Sequence, residues 1–281
     1  MSSLPPVFLH AFRTPLPYAR ALALQERLHA LQLSRRRTQQ HHDLLLLLEH
    51  RPVYTAGRRQ TASSPEMLEE EARLTHLGAD FVHAKRGGQT TYHGPGQIVG
   101  YPLLDLSRSA PPMGIHEYIC RMQRAIKAHL REAHDVASAP SDNTGVFLDA
   151  TSKIASIGVQ VRHRLTSHGF ALNVTREPLV WFDKIVACGL PDVKATCIAD
   201  ASKKVPAEKI VMLDEMTGLA QRLGHAFERE VVPLDLHSDA EVGQAIREIE
   251  LEAEEAGEWA KYPLLESPDD TDDPSSKTRT L

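Results

Sequence analysis

The chain has 281 residues, 42% of them hydrophobic, and a formal net charge of −5, enough apolar material for one large core or two small ones. Its longest apolar run, the five leucines Leu44 to Leu48, is far short of the roughly 18 residues that span a bilayer, so a membrane-spanning role is excluded. Three cysteines, Cys120, Cys188 and Cys197, share no CxxC or Cys/His spacing; this argues against a disulfide framework, no metal ligand is expected, and the thiols should be reduced and intracellular.

Val7 to Phe12 reads as a strand, although the first 25 residues, with Arg13 and Arg20 and no acidic residue, also have the composition of a mitochondrial targeting segment. Pro17 opens a helix to about Leu33, in which Ala21, Leu24, Leu28 and Leu31 recur at helical spacing. The basic "SRRRTQQHH" that follows reads as a solvated connection to the strand "DLLLLLEHRP". A polar segment, Gln60 to Pro65, precedes the strand-like "ADFVHAK", and "QIVGYPLLDL" is a strand beyond it. Between these two lies "KRGGQTTYHGPGQ", Lys85 to Gln97, expected to link two strands of one sheet. Gly114 to His134 is an amphipathic helix with Ile115, Ile119, Met122, Ile126 and Leu130 on one face and Arg121, Arg124, Lys127 and Arg131 in solvent. Then "GVFLD", "KIASIGVQVR" and "TSHGFALNV" suggest an antiparallel meander. Pro206 to Glu230 and Asp239 to Lys261 read as helices, and "ESPDDTDDPSSKTRTL" as a disordered tail from about residue 266.

The pattern is α+β, not a regular βαβ series. It divides into a body, residues 1–232, and an acidic extension, 233–281. Residues 239 to 281 hold thirteen acidic and four basic side chains, a net −9, which leaves the rest of the chain at +4. A mildly basic body suits acidic protein partners; neither nucleic acid nor a membrane is expected as a partner.

Glycines between strands let a backbone approach a ligand closely. The loop lacks the GKS/GKT ending of a P-loop and the helix that follows a dinucleotide loop, so on glycine content alone a binding wall and a tight turn stay equally open. Cys188, in "IVACGLPD", lies in a turn after an apolar run. It is a nucleophile only if a cation or oriented N–H groups stabilise its thiolate, and otherwise a buried thiol. Lys153, in "TSKIASIG", stands at the mouth of an apolar strand and could exchange protons with such a thiol. Cys120 and Cys197 read as packing residues.

"RGGQTTYHGPGQIVGYPLLDL", followed in order by "KIASIGVQVR", "SHGFALNV" and "ACGL", resembles the octanoyltransferases of lipoate biosynthesis over roughly Val7 to Glu230. The resemblance implies a mixed sheet with packed helices like that of biotin and lipoate protein ligases. It also implies transfer of an octanoyl group, carried on the phosphopantetheine of acyl carrier protein, to a lysine of a lipoyl domain, such as those of 2-oxoacid dehydrogenase E2 subunits and the glycine cleavage H protein. No other cofactor is implied. By position, Cys188 is then the acyl-thioester nucleophile and Lys153 the lysine that tunes it; many members carry Pro before the cysteine, where this chain has Ala187. The substrate-lining residues implied are Arg86, Gly87, Gly88, Gln89, Thr90, Thr91, Tyr92 and His93, then Ser156, Ile157 and Gly158, and Gly169, Phe170 and Ala171.

Three further expectations follow. Backbone N–H groups at Gly158 and Gly169 would hold the oxyanion; His93 and His168 would orient loops; and the basic face of the 114–134 helix would dock acidic partners. The rivals are an ATP-dependent lipoate or biotin ligase, which needs no nucleophilic cysteine, and a catalytically silent binding module. The enzyme would work in mitochondria in a eukaryote and in the cytoplasm in a bacterium; the Arg/His-rich connection and the long acidic tail incline toward the former.

Overall fold

The computed structural model describes residues 4–264; the tail expected from about residue 266 lies outside them. In chain order the elements are β1 (Val7–Ala11), α1 (Tyr18–Arg35), β2 (Asp43–Leu48), β3 (Val53–Ala56), α2 (Pro65–His76), β4 (Asp80–His83), β5 (Thr91–His93), β6 (Gln97–Leu103) and α3 (Ile115–His134). There follow β7 (Val146–Phe147), β8 (Ser152–Arg162), β9 (Leu165–Asn173), α4 (Glu177–Phe182), β10 (Lys194–Ala195), α5 (Ile198–Ala201), α6 (Met212–Phe227), β11 (Val231–Pro233) and α7 (Ala240–Glu255).

The leucine run of β2 shows how the layers arise. Side chains alternate across a strand, so Leu45 and Leu47 enter a core with α3 and α6, while Leu44, Leu46 and Leu48 enter one with α1 and α7 on the other face. A sheet buried on both faces needs such a continuous apolar run. The strand order is β10-β8-β9-β6-β2-β1-β11, with β7 also on β8. β7, β8, β9 and β6 are antiparallel neighbours, whereas β1 runs parallel to both β2 and β11, and β10 parallel to β8. The fold is therefore the mixed sheet with packed helices that was expected, and "VFLHAF" is a strand of it.

Several elements differ from expectation. The glycine stretch does not link two strands of one sheet: β4, β3 and β5 form a separate three-stranded sheet, and the stretch crosses from it to the large one, contributing β5 on the way. The basic connection is less solvated than its composition suggests. Arg36 binds Asp105 and the His163 carbonyl, and buried His41 also meets Asp105. Helix α2 begins at Ser64, whose hydroxyl caps the Met67 N–H, with Pro65 at the first helical position. The two C-terminal helices are shorter than their periodicity implied. In the 114–134 helix, Ile115 is 49% exposed instead of packed, because it lies at the mouth of a cavity.

Candidate active site

A cavity of about 280 Å³ lies between the glycine loop, the β8–β9 hairpin and the start of α3, just below the roughly 300 Å³ at which small-molecule pockets begin. Arg86, Gly87, Gly88, Thr91 and His93 form one wall, and Ser156, Ile157, Gly158, Gly169, Phe170 and Ala171 another; Lys153 also lines it. Ile115, Ile119, Val99, Val159 and Leu190 give the lining an aliphatic part, while Arg58, Arg59, Asn143 and Thr144 bring polar groups to it. Such a cavity offers both apolar and polar walls within reach of Lys153.

Three loop residues expected to line this cavity do not. Within β5 the side chains alternate, so Thr91 and His93 face the cavity and Tyr92 faces away. The Tyr92 ring stacks on Trp181 with centroids 5.3 Å apart, inside the core of the small sheet. Gln89 and Thr90 line a neighbouring groove with Val186 and Gly189, and Thr90 Oγ1 donates to Gln60 Oε1 at 2.9 Å. The wall is thus built by Arg86, Gly87 and Gly88 together with alternate residues of β5.

The loop is held from beneath. Arg86 is buried and donates to Thr55 Oγ1 at 2.6 Å and to the Thr55 carbonyl, and the Gly87 N–H donates to the Val159 carbonyl at 3.2 Å. A methyl group on Gly158 would sit 3.0 Å from the Gly87 carbonyl oxygen, so glycine there lets the loop lie on β8. The Val159 carbonyl points to Gly87, away from β9. Its register neighbours Gly158 and Gly169, which face each other, must then bond across the ladder. Their N–H groups are spent there, and the expected oxyanion role at these glycines is overturned. Gly169 serves close packing: a methyl group on it would lie 2.0 Å from the Gly100 carbonyl oxygen.

Lys153 is 7% exposed, with Nζ 5.6 Å from the centroid of the Phe147 ring. Gly145, which sequence reading passed over, makes its seat, since a side chain there would meet Lys153 Cε at 2.8 Å. Cys188 lies in the 3-10 turn Ala187–Gly189. After that turn the chain enters β10, where Ala195 pairs with Lys153 itself and the Thr196 N–H donates to the Lys153 carbonyl at 2.9 Å. Ala187 lines a small void with Lys153, and Leu190 lines the main cavity. The backbone flanking Cys188 on both sides is thereby brought to Lys153, although the two residues are 35 positions apart.

The histidines are not placed for proton transfer near neutral pH. His93 donates through Nδ1–H to Gln97 Oε1 at 2.7 Å; burial holds it far below the usual imidazole range, and the charges of His50 and Arg86 push it further down. His168 is brought to about 4 by burial and by the Arg86 charge. Both stay neutral at pH 7; the His93 ring is tied to Gln97, whereas His168 Nδ1 is buried with no hydrogen-bond partner among the described residues. The Cys197 thiol is buried and raised to about 12, chiefly by desolvation, which makes it inert as a nucleophile.

Residues 17–215 match the family model of the lipoyl protein ligase A/B catalytic domain. The chain is 35% identical over 200 residues to an octanoyltransferase of Koribacter versatilis, covering 70% of this chain and 76% of that protein. It is 37% identical over 190 residues to a mitochondrial octanoyl-[acyl-carrier-protein]:protein N-octanoyltransferase of Danio rerio, covering 65% and 81%. Among solved structures, the bi-partite lipoate protein ligase of Thermoplasma acidophilum aligns with a TM-score of 0.57 at 14% identity, over 89% of this chain and 92% of that one. Lipoate-protein ligase A bound with ATP aligns with the same score at 12% identity, over 89% and 94%. At such identities these structures attest the fold alone.

Proposed function

The chain belongs to the octanoyltransferase family of lipoate biosynthesis, and we propose that it moves octanoyl from acyl carrier protein to a lipoyl-domain lysine through a thioester on Cys188. Lys153 takes the thiol proton, and the Cys188 sulfur attacks the thioester carbonyl. The new C–S bond forms as the bond to the pantetheine sulfur breaks, and Lys153 returns the proton to the departing thiolate. In the second half the target amine attacks the Cys188 thioester and loses a proton to Lys153, which passes it to the cysteine sulfur. One thioester is exchanged for another of similar energy and the amide is downhill, so no ATP is consumed.

The observation that carries this reading is the pairing of β10 with Lys153, which draws the Cys188 turn to the acyl-sized slot. For docking, the basic face of α3 is partly neutralised by its own element, since Glu117 pairs with both Arg121 and Arg124. Exposed Arg58 and Arg59, at the cavity itself, are better placed to meet an acidic carrier. The compartment would be mitochondrial in a eukaryote and cytoplasmic in a bacterium; one relative is named mitochondrial and others are bacterial.

Intact-mass spectrometry after incubation with octanoyl-acyl carrier protein tests this. The protein should gain one octanoyl group, and Cys188→Ala none. Absence of any adduct, or transfer from free octanoate that strictly requires ATP, would overturn it in favour of a binding module or a ligase.

A further inference from the structure

Away from the cavity, three titratable side chains that the acyl chemistry does not use meet inside the protein. His129 and His134, on the last turns of α3, and Glu215, on the first turn of α6, are all buried. Their ligand atoms lie within 4.8 Å of one another. His129 Nε2 is 2.7 Å and His134 Nε2 2.9 Å from the same carboxylate oxygen, Glu215 Oε2. His129 stands ten residues beyond Ile119, the last α3 residue at the cavity, or about 15 Å down the helix, so this cluster is separate from the acyl slot.

We propose that His129, His134 and Glu215 form a structural site for a divalent transition-metal ion, zinc above all, that clamps α3 to α6. Two imidazole nitrogens and a carboxylate oxygen are a ligand set that zinc accepts. Simple hydrogen bonding would be served as well by spreading the two imidazoles over both carboxylate oxygens, whereas here both Nε2 atoms converge on one. The remote nitrogen of His134 is also fixed: Nδ1 lies 3.2 Å from Ser202 Oγ, just beyond α5. A ligating imidazole is commonly oriented by such a bond at its other nitrogen. Donor atoms around a tetrahedral zinc stand about 3.3 Å apart when each bond is about 2.0 Å, so admitting the ion opens each contact by about half an ångström. Solvent reaches the edge of Glu215, whose side chain is 9% exposed, and can supply a fourth ligand.

This departs from the expectation of no metal, which rested on cysteine spacing. The two histidines are five residues apart, unlike the i,i+4 pair of a zinc-protease helix, and Glu215 is 81 residues beyond His134. No local motif would reveal the set.

The test uses the full chain, stripped with a chelator and then dialysed against limiting zinc. The expected result is one zinc per chain by plasma mass spectrometry and a melting temperature that rises by several degrees on zinc addition and falls again with chelator. His134→Gln and Glu215→Gln should lose both the bound zinc and the zinc-dependent rise, while Cys188→Ala should keep both. A chain that retains no zinc and melts at the same temperature with and without it would overturn the proposal and leave a hydrogen-bonded staple only. So would stoichiometric zinc in both cluster variants. If those variants do not fold, the chelator comparison on the unaltered chain still decides.

Discussion

In the proposed reaction Lys153 exchanges protons with three different partners from a partly enclosed cavity, and β8 fixes where it does so. Replacing it with Ala should slow acylation of Cys188 by about 10²- to 10⁴-fold, the usual worth of a positioned acid–base group, with an unchanged circular dichroism spectrum. Single-turnover mass spectrometry measures this, and a normal rate would remove the proton-transfer role. Gly169 makes a contrasting case. Its methyl variant, Gly169→Ala, brings a carbon against the Gly100 carbonyl and Pro102 and should cost about 1–3 kcal/mol of stability by overpacking, seen as a lower denaturation midpoint; an unchanged midpoint would mean that β6 and β9 separate easily. Glycines can be found in a sequence, but their purpose there is ambiguous between a close approach and an N–H aimed at a ligand. Only the strand register separates the two. Tyr92 failed for a related reason: three residues of strand between glycines are too few to show the alternation that turns it away from the cavity.

At the level of elements, α7 contributes Val242, Ala245, Ile246 and Ile249 to the core that covers Leu44, Leu46 and Leu48. Its N-cap, Asp239, accepts from the Val242 N–H and is also paired with Arg35 of α1. Ile246→Ala should therefore destabilise the whole protein by about 2–5 kcal/mol, measured by urea or thermal unfolding; a change below about 1 kcal/mol would show that α7 rides on the sheet without supporting it. The strands and the long helices were readable because each repeats its hydrophobic period several times, as α3 does from Met122 to Leu130. Short elements such as α4, α5, β10 and β11 offer two to six residues and no full period. Helix α2 is different, since Ser64, Pro65 and Gly78 carry its start and stop signals openly, although the sequence reading named only a polar segment up to Pro65.

Across the whole molecule, buried imidazoles should set the acid limit of stability. His50 and His168 are each held at about 4, first by burial, so between pH 6.5 and 4 the unfolded chain binds more protons than the folded one. Stability is then full above about pH 6.5 and is lost as pH falls toward 4, by roughly 3 kcal/mol per histidine at most. Melting temperatures across that range should fall accordingly, and His168→Gln should flatten part of the slope; an equally steep profile would assign the loss to other groups. Order within the large sheet escaped sequence reading, because β10 beside β8 and β11 beside β1 are joined by hydrogen bonds across long separations that leave no local pattern. The site was legible as residue types in Lys153 and the glycine loop, whereas Arg58, Gly145 and Ile115 join it only through that topology.

The parallel pairing of β1 with β11 matches Val7 to Val231, across most of the described residues. On a ribosome adding about 5–20 residues each second, the outer edge of β1 waits about 10 to 45 s for its neighbour, and the leucines beneath α7 wait longer. A newborn chain therefore presents an open strand edge and an apolar face together, the two features that invite aggregation. Holding that intermediate until the C-terminal segment emerges becomes a requirement of biosynthesis, imposed by where one three-residue strand is placed.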